Sequence, residues 1–187
     1  MDIRLRDCFV LAKRDEEKSK KHKELILIEK DDKKAGEYLE KAKTNLKTCD
    51  LFKSNRLDYK IPEEWFYTLY YCALAILAKF GVESRSQKCT AIFLRYLKET
   101  KLIDYDDEFI DRITVYSDKE ERSDVDERES ARYGASVKSE EVIKKYDMMI
   151  EMCKRCISQC EELVFSDVKF EIPKDILNIN KTIDDKR

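Results

Sequence analysis

The stretch PEEWFYTLYYCALAILAKF, residues 62–80, decides the fold. Phe66, Leu69, Tyr70, Ala73, Leu77 and Phe80 recur at three- and four-residue steps and make one face of a helix. Trp65, Cys72 and Ala75 belong to another face. A helix that is apolar on several faces is central to a bundle or sits at an interface. Pro62 fits the first turn, where a missing N–H costs nothing, and Gly81 supplies the stop.

Upstream, Leu39, Ala42, Leu46, Cys49 and Phe52 form a single stripe, which predicts a helix over about 33–54. Residues 54–60 connect the two helices. Downstream, Cys89, Ile92, Phe93, Tyr96 and Leu97 predict a helix over 86–99. Another begins near Asp106 with Phe109, Ile110 and Ile113, and fades into DKEERSDVDERES, a solvated helix or a loop. Val142, Tyr146, Met149, Ile150, Cys153, Ile157, Cys160 and Leu163 mark a long last helix over 138–164, with Ser139 and Glu140-Glu141 suited to its start. Short connections imply antiparallel neighbours. The expected fold is an all-α, up-and-down antiparallel bundle of four to five helices. A charged amino-terminal helical extension (1–32) precedes the bundle (33–165), and a tail (166–187) follows it. Within the extension, Leu25–Ile28 is an apolar tetrad that fits a short strand, a helix turn packed on the body or a partner contact, with helix preferred.

Composition agrees. Charged residues make up 42% of the 187, with three Gly and two Pro, which favours long helices with solvated faces. A net charge of -2 does not mark the whole chain as a polyanion binder. No apolar run spans a bilayer and no signal-peptide pattern opens the chain, so a soluble, cytoplasmic protein with no membrane association is expected. The seven cysteines are odd in number, and most stand where apolar residues would in helical repeats. They read as reduced thiols used as small core residues.

Three groups can carry chemistry. Cys153-x-x-Cys156-x-x-x-Cys160 admits a metal or redox role, but zinc would need a fourth ligand from elsewhere, and core packing is the plainer reading. No metal centre and no cofactor are expected. His22, the sole histidine, reads as a solvated surface residue and leaves few routes to a catalytic triad. Arg128 and Arg132 share a helical face beside Tyr133, and two guanidinium forks next to a tyrosine can hold a phosphate or stack on a base. The plainer reading has Glu127 and Glu129 neutralising them on a solvated face. Tyr67, Tyr70 and Tyr71 are core, interface or a stacking surface.

The run Trp65 to Leu77 followed by Gly81-Val82-Glu83-Ser84 resembles the second-helix signature of HEPN domains. An earlier helix with Lys41-Ala42 and Leu46, and Arg128 through Tyr133-Gly134 before a long last helix, fit in order. The resemblance covers about residues 33–165. It implies a helical bundle that usually pairs as a homodimer, and Tyr67, Tyr70 and Tyr71 are the residues expected at such an interface. It also implies either a metal-independent ribonuclease or a module binding RNA, a nucleotide or a partner such as a minimal nucleotidyltransferase, often in toxin–antitoxin or defence systems. Arg128 can stand for the family arginine, but Glu129 or Tyr133 to Ala135 falls where the catalytic histidine would be, and Gln87 or a neighbour falls where several relatives carry a second one. The expectation is therefore a non-catalytic homodimeric binding module with Arg128, Arg132 and Tyr133 on the ligand. The alternatives are a divergent ribonuclease using Arg128 with Tyr133 or Glu129, and a purely structural dimerisation domain.

Overall fold

Apolar side chains surround α3 (Ile61–Lys79), so neighbours have to cover it on nearly every side. In the computed structural model, which describes residues 3–114, 139–167, 171–172, 174 and 176–178, they do. The protein is an all-α helical bundle with one small two-stranded sheet. In chain order it comprises α1 (Ile3–Glu17), β1 (Leu25–Leu27), α2 (Asp32–Ser54), a 3-10 turn (Asp58–Lys60), α3, β2 (Val82–Ser84), α4 (Gln87–Glu99), α5 (Asp107–Ile113) and α6 (Ser139–Val164). No helix among the described residues is long and apolar enough to cross a membrane.

Contacts fix the helix directions. Lys79, at the end of α3, pairs with Asp32 at the start of α2, so the two run antiparallel. Tyr146 in the second turn of α6 donates to Asp50 near the end of α2, and Lys43 pairs with Glu161, so α6 also opposes α2. Asp106 and Glu108 pair with Arg155, while Arg112 reaches Met149, which sets α5 antiparallel to α6. Between these helices lie Trp65, Phe66, Leu69, Leu39, Ile110, Met149 and Cys153, all within 1% of full burial.

Helix starts follow local chemistry. Asp31 Oδ1 accepts from Lys34 N at 2.7 Å and caps α2, and Ser86 Oγ accepts from Cys89 N at 3.2 Å and caps α4. Pro62 lies in the first turn of α3.

The amino-terminal segment packs into the same core, with Leu5, Phe9, Ala12 and Leu25 buried. Here three readings are corrected. Leu25–Leu27 is a strand, not helix: it pairs antiparallel with β2 in the register Leu25↔Ser84, Ile26↔Glu83, Leu27↔Val82. Backbone donors that a helix would use internally are taken by this partner, and Ile28 N donates to Gly81 O at 2.9 Å. His22 is not on the surface. It is 6% exposed, its Nε2 lies 3.3 Å from Glu83 Oε1, and neither ring nitrogen makes an aligned hydrogen bond. Finally, Cys8 and Cys89 are joined in a disulfide between α1 and α4, so only Cys49, Cys72, Cys153, Cys156 and Cys160 remain thiols.

Glu83 ties this strand pair down. Its carboxylate meets Lys34 of α2 at 3.0 Å and Arg85 at 2.9 Å. Burial works to raise its pKa, but the Lys34 hydrogen bond and the charges of Lys34 and Arg85 outweigh it and leave it below the usual value. Stability from a lowered carboxyl is present above the ordinary carboxylate range and lost as pH falls through it. Glu83→Gln should therefore cost about 1 kcal/mol in urea denaturation at pH 7 and next to nothing at pH 3. Gly81 makes a second test. Its φ is +72°, and an added Cβ would stand 2.8 Å from Ile28 O, so Gly81→Ala should destabilise by about 2 kcal/mol or more in the same assay.

Candidate functional site

Between Trp65 and Ala78, every residue of α3 is buried except Tyr67, Tyr70 and Tyr71. Helical spacing puts Tyr67 and Tyr71 one turn apart, and their rings stack at 5.8 Å with an interplanar angle of 29°. The antiparallel crossing of α2 brings Tyr38 onto the other side of Tyr71, at 6.1 Å and 20°. Lys41, one turn along α2 from Tyr38, holds its Nζ 5.5 Å from the Tyr38 ring and 5.6 Å from the Tyr71 ring. Tyr70 turns the other way and stacks on Phe66 at 5.7 Å.

This aromatic ladder borders an open groove of about 710 Å³, lined by Gly36, Glu37, Glu40, Lys41, Thr44, Asn45 and Tyr71. Gly36 lies inside α2, and a Cβ there would meet nothing within 4 Å. Glu40 pairs with Lys43, whose hydrogen bond lowers its carboxyl pKa. Burial raises the hydroxyls of Tyr70 and Tyr71, so both stay protonated at neutral pH. The groove can therefore stack flat rings, donate hydrogen bonds and offer one ammonium. These tyrosines are unsuited to acting as proton-transfer bases there.

The sequence pattern singled out Tyr67, Tyr70 and Tyr71, and the structure brings Tyr67 and Tyr71 onto one surface with Tyr38 and Lys41. Tyr38 carries no signal of its own and Lys41 enters the sequence reading only through the family resemblance; the α2–α3 crossing is what places both beside the tyrosines. Arg128, Arg132 and Tyr133, along with Glu129 and Gly134, lie outside the described residues. Gln87 is the first residue of α4, beside the capping Ser86.

The thiols of α6 face inward. Cys156 Sγ is 3.0 Å from the Tyr105 hydroxyl, and the Cys160 thiol donates to Cys72 O at 3.4 Å. Hydrogen bonds to Cys156 and Cys160, followed by burial, push the Cys72 thiol well above its usual range. Burial does the same to Tyr105 and takes Cys49 up to about 12. Cys153, Cys156 and Cys160 are fully buried among the helices, so the packing reading fits their surroundings.

No protein-family model matches this sequence, and a search of curated proteins gives no match either.

Iodoacetamide at pH 8 should leave Cys49, Cys72, Cys156 and Cys160 unmodified in the native protein and label all four after unfolding. Peptide mass spectrometry reads this directly, and native labelling at Cys156 would contradict the buried geometry.

Proposed function

We propose that this chain is a HEPN-like, non-catalytic binding module that works as a homodimer. It pairs through the tyrosine face of α3 and holds RNA or a nucleotide with Arg128, Arg132 and Tyr133. The observation that carries the reading is the aromatic ladder. On a helix otherwise hidden along its middle, Tyr67 and Tyr71 stay partly exposed and pre-stacked with Tyr38 under Lys41. Flat, rigid rings with few rotamers to lose suit a surface that closes on a partner.

Two further points support it. The segments 41–46 and 65–77 that carry the resemblance lie on two helices packed together, α2 and α3, with a long last helix beside them. The one imidazole of the chain is buried against Glu83 and is not part of the groove lining, which favours binding over ribonuclease chemistry. A minimal nucleotidyltransferase, as in toxin–antitoxin or defence pairs, is the protein partner the reading suggests, in a cytoplasmic setting.

Light scattering coupled to size exclusion should give a dimer for the wild type and a monomer for Tyr71→Asp, with the melting temperature nearly unchanged. A monomeric wild type at tens of micromolar would remove the dimer. In EDTA, labelled single-stranded RNA should be bound and left intact. Arg128→Ala should weaken binding and reduce the slope of log K against log salt by about 1. Cleavage lost in that variant would instead establish the ribonuclease.

A further inference from the structure

Cys8 on α1 and Cys89 in the first turn of α4 are 4% and 3% exposed and are joined across 81 residues of sequence. Glu24, in the connection just ahead of β1, brings its Oε2 to 2.9 Å from Cys89 Sγ. A thiol would donate a hydrogen bond over that distance, but a disulfide sulfur has no proton to give. The carboxylate is thus placed to suit the reduced pair, where it meets either a thiol proton or a cation. The two sulfurs and the carboxylate oxygen all lie within 4.8 Å of one another, and they come from three separate segments of the chain.

We propose that Cys8, Glu24 and Cys89 form a site for a divalent cation of the zinc type, open when the two cysteines are reduced and closed when they are joined. Two thiolates and a carboxylate bring three negative charges into a largely buried place, which only a cation makes tolerable. Thiolate ligands select zinc or a similarly soft ion over magnesium or calcium, and three protein ligands leave a fourth tetrahedral position. That position goes to water.

The chemistry balances with an external thiol as reductant. Two such thiols pass two electrons to the disulfide and become a disulfide themselves, and their two protons end on Cys8 and Cys89. The cation then displaces both protons to solvent as it binds. Oxidation by an external disulfide runs the sequence backwards and releases the cation. In both end states α1 is pinned to α4, by a covalent bond in one and by the metal in the other. In the metal-free dithiol neither link exists, and α1 is held by noncovalent contacts such as the burial of Leu5, Phe9 and Ala12.

The full-length chain, purified under a phosphine reductant, is titrated with Zn²⁺ against a chromogenic chelator and with Co²⁺ by absorbance. The expected result is one equivalent per chain, a thiolate-to-cobalt charge-transfer band, and zinc protection of Cys8 and Cys89 from alkylation. Cys8→Ser and Cys89→Ser should each weaken binding by about 100-fold or more, and Glu24→Gln by about tenfold. Oxidation beforehand should abolish it. Circular dichroism checks that each variant folds; should the serine variants fail, Glu24→Gln and the protection pattern of the wild type decide. The proposal is overturned by reduced protein that takes up no stoichiometric zinc, by binding that survives oxidation or is unmoved by Glu24→Gln, or by a disulfide that re-forms under the reductant with zinc present.

Discussion

A helix with no polar stripe forces its neighbours to arrange themselves around it, and α3 is that helix here. Its Ala73, Ala75 and Ala78 are small and fully or almost fully buried, which lets adjacent backbones come close. Helix α2 lies antiparallel along one side and α6 opposes α2 on another, while α4, α5 and β2 pack against the rest. The amphipathic helices around it need only one apolar stripe each, which is why their outer faces can be so highly charged.

Polar atoms inside this core are few and mostly matched. Thr68 Oγ1 donates to Glu64 O at 2.8 Å, and Thr90 Oγ1 donates to Ser86 O at 2.8 Å, each closing a bond within its own helix. At the far end of α2, the Tyr146 hydroxyl donates to Asp50 at 2.6 Å while Lys53 sits 3.7 Å from the ring centroid. The exceptions among the described residues are the two ring nitrogens of His22 and, on α3, the Trp65 indole N–H, which is buried with no acceptor. An unmade bond of that kind costs about 1–3 kcal/mol, and the large apolar area of the ring offsets it.

Much of the fold was legible in the sequence because helices declare themselves locally. Stripes such as Leu39–Ala42–Leu46–Cys49 and Val142–Tyr146–Met149–Cys153 placed α2 and α6 to within a residue at most ends. What escaped depends on partners far along the chain. Leu25–Leu27 becomes a strand only because Val82–Ser84 is there to pair with it, and His22 is buried against Glu83 of that distant strand. Nothing in the spacing of Cys8 and Cys89 marks them as a pair. The tyrosines of α3 stood out as a pattern, whereas Tyr38 and Lys41 joined them through a helix crossing that periodicity does not encode.

The central position of α3 also has a consequence for biosynthesis. Its last cover, α6, ends at Val164, some way after α3 ends at Lys79. At ~5–20 residues per second, a ribosome needs on the order of ten seconds to make the chain between them. During that interval the most apolar helix of the protein has left the ribosome half-wrapped, with its Cys72 and Trp65 side uncovered. Nascent chains are therefore most exposed to chaperones, and to one another, between the emergence of α3 and the arrival of α6.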